Sequence, residues 1–192
     1  MTNIQLNLIQ NIYNTVKNYC KCIYIAGSKA SSYINNPEDT DVVIVCNDTN
    51  DKIKTLKLLH TTCKETKTTL KDNYNIVIIV STVEKELQCR EYCYQDYIML
   101  FGDTTFQPFH DILNNVEDYK AALRELHDRI CEAPNKKLYR LLTGIYILQN
   151  NSYQLTQEQI ANINLCHDMA DTDRMAELLE YCREYLFDEG SV

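Results

Sequence analysis

The chain has no tryptophan, three prolines and four glycines in 192 residues. So few chain breakers leave no Pro/Gly-rich linker to separate independent pieces. No apolar run approaches roughly 20 residues, which excludes an ordinary membrane-spanning helix, so no membrane partner is expected. The start, MTNIQLNLIQ, has neither a basic segment nor a continuous apolar one. No export signal is therefore expected, and the expected location is the cytoplasm. Positive charge is also scarce: 19 Lys and Arg stand against 27 Asp and Glu, a formal net charge of −8. A protein that coats DNA or RNA broadly needs the opposite balance, because its affinity comes from neutralising phosphates. One phosphorylated substrate is not excluded, since a bound divalent metal can supply the positive charge.

What is present suits a folded domain. Hydrophobic residues make up 45% of the chain and no long polar tract interrupts them, so a real core is expected and disorder is not. The length fits one domain, or one with a helical appendage. Nine cysteines form an odd set with irregular spacing. Without an export signal they read as reduced thiols, most of them small buried hydrophobes. Cys89 and Cys93, four apart on a predicted helix, have a metal-ligand spacing but no second pair to complete four zinc ligands.

Apolar positions at Ile4, Leu8, Ile12 and Val16 predict a helix over 3–18. Residues 22–26 read as a buried strand ending at Gly27-Ser28, after which a helix begins over 29–33. TDVVIVC (40–46) and YNIVIIVST (74–82) read as strands, the second apolar enough for a sheet centre. Helices are predicted over 52–67 and 83–97, and a short strand over 99–101. Beyond about residue 110 strand-like runs disappear. Helices are predicted over 111–131, 136–149, from Thr156 with a capping box, and from Asp171 or Thr172 to about Leu186. The expected architecture is α+β: an α/β domain over 1–108 with a mixed sheet flanked by helices, then a C-terminal helical region, 109–192, packed on it.

The stretch that carries chemistry is Ala26-Gly27-Ser28, ten residues, then Asp39-Thr40-Asp41-Val42. Glycine lets backbone approach a ligand closely, and free N–H groups where a helix begins favour an anion. Asp39 and Asp41 are two apart at a strand start, so alternation puts both carboxylates on one face. Two carboxylates beside a phosphate cradle can hold Mg²⁺ or Mn²⁺.

This arrangement resembles the nucleotidyltransferase superfamily related to DNA polymerase β, whose pattern is hG[GS] followed at similar spacing by Dh[DE]h. Thr40 departs from the usual apolar residue. The loop Gly27-Ser28-Lys29-Ala30 resembles the GSRA loop of minimal nucleotidyltransferases, and the helical half looks like that of small phage or bacterial members. The resemblance implies a metal-dependent transfer of a nucleoside monophosphate from a nucleoside triphosphate to an acceptor hydroxyl, with pyrophosphate released. The acceptor classes it implies are RNA ends, proteins and small molecules. Gly27 and Ser28 would hold phosphates, with Lys29 a further candidate, and Asp39 and Asp41 would be the catalytic metal ligands. Many members carry a third carboxylate on a later strand. Here Asn75 takes that place, and an amide is a neutral, poor base. Asp72, three residues earlier, is an alternative. The missing acid favours a second reading, a catalytically weak or inactive binding module, such as an antitoxin or a nucleotide- or partner-binding protein.

Other groups read more plainly. Lys136 and Arg140 share a helical face beside Lys137 and are candidates for steering a triphosphate, against the reading of a solvated face. Tyr139, Tyr146 and Tyr153 recur every seven residues and read as helix packing. His167 could pair with Asp168, but it reads first as a surface helix residue.

Overall fold

A computed structural model describes residues 1–37, 39–62, 66–88, 97–107, 112–132 and 137–187. Four strands form one mixed sheet: β1 (Cys20–Ala26), β2 (Thr40–Cys46), β3 (Ile76–Thr82) and β4 (Ile98–Gly102). Their order is β3-β2-β1-β4. β1 runs antiparallel to both neighbours, and β2 and β3 run parallel. The parallel pair needs a crossover, and α2 (Thr49–Thr62) with α3 (Thr66–Tyr74) supplies it. Before the sheet comes α1 (Asn3–Val16), and α4 (Val83–Gln88) follows β3.

The chain divides into two compact units. The first gathers Met1–Ser32, Asn36–Gln88 and Gln95–Pro108, and the second holds Tyr33–Asn35 together with the helices over 112–187. In the first unit, strand alternation sorts the side chains. Ile23, Val42, Ile44, Cys46 and Ile76 turn to one face and build a core with Ile9, Ile12, Val16 and Leu59 from α1 and α2. The opposite face receives the other set, including Tyr24, Ala26, Asp41 and Val43, which the register pairs as Tyr24 with Val43 and Ala26 with Asp41.

The second unit is all helical: α5 (Val116–Glu132), α6 (Leu138–Asn150), α7 (Gln157–Asp168) and α8 (Thr172–Phe187), after a short 3₁₀ turn at Ile112–Asn114. α6 is its centre, with Leu141, Leu142, Ile145 and Ile147 fully buried. Gly144 on α6 lets α5 lie close, since a Cβ there would meet the Tyr119 hydroxyl and Leu123 Cδ2 at 2.5 and 2.9 Å. α7 begins at Thr156, whose side chain accepts from the Gln159 N–H while the Gln159 side chain accepts from the Thr156 N–H, the expected capping box.

Three expectations are corrected. The turn after β1 is a single three-residue 3₁₀ turn, Gly27–Lys29, not the start of a helix over 29–33. Both Ala30 and Ser31 donate to the Gly27 carbonyl, at 3.1 and 3.2 Å, which closes the turn. The segment before β3 is helical through Tyr74, so β3 starts at Ile76 and not at residue 74. The helix predicted from residue 111 begins only at Val116. Among the described residues, no helix is long and apolar enough to cross a membrane.

Candidate functional site

The glycine turn and the two aspartates of the candidate site belong to the first unit. Gly27 has φ +70, in the left-handed region that glycine occupies without steric penalty. The antiparallel register sets Ala26 opposite Asp41, and this carries the Asp41 carboxylate across to the next residue of the turn. A Cβ on Gly27 would overlap Asp41 Oδ2 and lie 3.3 Å from Asp41 Cγ. The glycine and the second aspartate of the sequence pattern are therefore in van der Waals contact. Ser28 is buried beside them and Lys29 is half-buried.

Asp39 and Asp41 are both half-buried, one residue on either side of the buried Thr40. Thr40 starts β2, and its N–H donates to the Asn75 carbonyl at 2.9 Å. The unusual threonine thus stands in the apolar direction of the strand, and Asp41 takes the other face. Two hard oxygen donors on one face are a set that suits Mg²⁺, which keeps several of its own waters and takes one or two carboxylates from a protein. Among the described residues, no three His, Cys, Asp or Glu side chains come together as a metal-ligand cluster.

Asn75 stands apart from the expected strand position. It precedes β3, it is exposed, and its φ is +53, a left-handed conformation that asparagine tolerates better than most residues. Its backbone closes the ladder to Thr40, so the residue has a structural role in starting the β2–β3 pair. Within β3, the partner of Asp41 is Val77. Asp72 lies on α3 and is exposed.

A carboxylate that sequence reasoning missed does reach this face. The Tyr24 hydroxyl donates to Glu86 Oε2, and Tyr24 lies two residues before Ala26 on the strand face that carries Asp41. Tyr24 is almost fully buried, and the Tyr97 ring meets its edge at 5.9 Å. No local pattern marks Glu86, because its partner is 62 residues away in the chain.

The other candidates that can be described belong to the second unit. Arg140 is on α6 in the second unit, where its guanidinium lies over the Tyr139 ring at 5.6 Å and donates to the Tyr139 hydroxyl at 3.0 Å. Lys136, and the Cys89–Cys93 spacing, fall outside the described residues. Tyr146 and Tyr153 are packing residues, as expected: Tyr146 is buried and accepts from Asn162, and the Tyr153 hydroxyl accepts from the Ile112 N–H. His167 is corrected. It is buried rather than a surface residue, with Nδ1 2.8 Å from Asp168 Oδ1 and the Tyr139 ring edge-on at 5.2 Å.

No protein-family model matches the chain, and no curated protein sequence does. The fold does have a solved counterpart. Spectinomycin adenyltransferase AAD(9) from Enterococcus faecialis, determined with ATP and spectinomycin, superposes with a TM-score of 0.56 at 13% identity, covering 100% of this chain and 92% of that one. The chain has a nucleotidyltransferase-like fold: a four-stranded mixed sheet flanked by helices with a helical C-terminal part.

Proposed function

We propose that the protein transfers a nucleoside monophosphate from a nucleoside triphosphate to an acceptor hydroxyl. The observation that carries this reading is the contact between Gly27 and Asp41, which joins the two halves of the sequence pattern at one end of the β1–β2 pair. The fold is that of a protein solved with ATP and a small-molecule acceptor, which supports the same class of chemistry.

In this reading Asp39 and Asp41 hold a divalent cation, Mg²⁺ or Mn²⁺. When bound, that ion supplies the positive charge a triphosphate needs in an acidic protein. The bare Cα of Gly27 leaves room for a phosphate to approach the backbone. Ser28 adds a hydroxyl there and Lys29 a positive charge. Glu86, which accepts from the Tyr24 hydroxyl, is the candidate for taking the proton of the acceptor hydroxyl. An RNA end, a protein side chain and a small molecule all present such a hydroxyl, and the triphosphate's base and the acceptor's identity are read by experiment.

The test is incubation with each α-labelled nucleoside triphosphate, Mg²⁺ or Mn²⁺, and a cell extract, followed by a search for label on RNA, protein and small molecules. Transfer is expected from the native protein and is expected to vanish in Asp39→Ala and Asp41→Ala. Transfer that survives both changes would remove these residues from their proposed roles. A second reading, a nucleotide-binding module without transfer, is favoured by Val77 opposite Asp41 and by Asn75 outside the strand. It predicts metal-dependent nucleotide binding that Asp41→Ala abolishes, with no label transferred.

A further inference from the structure

The second unit holds a group of reactive side chains that the proposed transfer does not use. Of the six described cysteines, five are buried and Cys131 alone is exposed. It is not a solitary thiol. Its Sγ lies 3.6 Å from Nε2 and 3.8 Å from Nδ1 of His127, one helical turn earlier on α5. The imidazole is 5% exposed and fixed from the side by the Phe187 ring of α8, edge-on at 5.3 Å. One carboxylate lies beside it: Asp128 Oδ1 is 3.5 Å from Nδ1.

We propose that Cys131 and His127 form a thiol–imidazole pair that reacts with small-molecule disulfides, making Cys131 a site of reversible mixed-disulfide modification. The step balances without any further oxidant. The Sγ proton passes to the His127 imidazole, and the thiolate attacks one sulfur of the incoming disulfide. The reagent's S–S bond breaks as the bond to Cys131 forms. The departing thiolate then takes the proton from the imidazolium and leaves as a thiol. The other described thiols are poor competitors. Burial pushes Cys20 up to about 11 and Cys22 and Cys166 up to about 12, and raises Cys46 and Cys182 in the same direction.

The experiment uses the full native chain, glutathione disulfide as the probe, an acid quench at timed intervals and peptide mapping by mass spectrometry. The first adduct is expected on Cys131, is expected to be absent from Cys131→Ser, and is expected to reverse with excess reduced glutathione. His127→Gln is expected to slow it by about 10-fold. Should circular dichroism find His127→Gln unfolded, Asp128→Asn, at an exposed position, takes its place with an expected slowing of about 2-fold. A first adduct on any of the other eight cysteines, or an unchanged rate in a folded His127→Gln or its substitute, would overturn the assignment.

Discussion

At Gly27 two demands meet in one residue. The backbone is left-handed, at φ +70, and the space a side chain would fill belongs to the Asp41 carboxylate. Gly27→Ala therefore incurs backbone strain of about 1–3 kcal/mol and also displaces the carboxylate proposed to hold the cation. The expected outcome is a lowered melting temperature together with a loss of nucleotidyl transfer larger than the loss of folded protein accounts for. Gly102 is the control. Its φ is +91, and a Cβ there would meet β1 backbone, including Cys22 Cα at 2.7 Å, rather than any candidate site group. Gly102→Ala is expected to destabilise at least as much in urea titration while leaving transfer per folded molecule unchanged. The pairing of Gly27 with Asp41 was legible in the sequence because a short-range pattern encodes it: strand, glycine turn, acidic strand start. Glu86 was not legible, since only the folded sheet brings Tyr24 to it. The same difference of range separates the exposed Asn75, read as a site residue from its position alone, from its observed role in starting the β2–β3 ladder.

Among the elements, α7 illustrates both kinds of information. Its start could be read directly, because Thr156 and Gln159 satisfy each other within one turn, and Thr156→Ala is expected to cost about 1 kcal/mol in urea denaturation. Its function in the fold could not be read. Asn164, in the middle of α7, is buried, donates to the Tyr33 and Ile160 carbonyls at 2.8 Å each, and accepts from the Asn35 N–H at 2.8 Å. The Tyr33 hydroxyl adds a bond to the Tyr153 carbonyl at 2.5 Å. Residues 33–35 lie between Ser28 and Asp39 in the chain, yet they belong to the helical unit. Partners 129 and 131 residues apart leave no periodic trace, and a mid-helix asparagine reads as unremarkable. Asn164→Leu keeps the size but leaves the buried Tyr33 carbonyl and the Asn35 N–H unmatched, for a cost of about 1–3 kcal/mol each way they are counted. Urea denaturation measures that cost. The 3₁₀ turn after β1 and the start of α3 at Thr66 escaped the sequence reading for a related reason. Hydrophobic periodicity is silent over stretches as short and polar as Ser28–Ser32 and Thr66–Thr69.

For the whole molecule, the abundance of cysteine and tyrosine becomes a statement about pH. The chain has nine cysteines and 14 tyrosines, and among the described residues five cysteines and four tyrosines are buried in the core. Burial raises the affinity of these groups for protons in both units: Cys20 rises to about 11 and Cys22 to about 12 in the first, and Cys166 and Tyr146 to about 12 in the second. Tyr181 and Tyr185 shift the same way. For an acid whose folded pKa is raised, the neutral form is the one the fold accommodates. Below the ordinary thiol pKa of 9.0 both states keep the proton and the packing contribution is fully present. Above it the unfolded chain releases protons that the folded chain retains, so stability falls with rising pH, and the fall continues until the folded groups ionise near 11 to 12. Stability is therefore expected to hold level on the acid side of that window and to decline steeply from about pH 9 upward, in chemical denaturation followed by far-ultraviolet circular dichroism. That probe is required because tyrosine fluorescence itself changes as the phenols ionise. Cys22→Ala removes one of the most shifted groups from a fully buried strand position. It is expected to lower stability at neutral pH by cavity formation and to flatten the alkaline decline, so that the curves of variant and native protein converge as pH rises. Parallel curves would mean that the buried thiols do not govern alkaline unfolding.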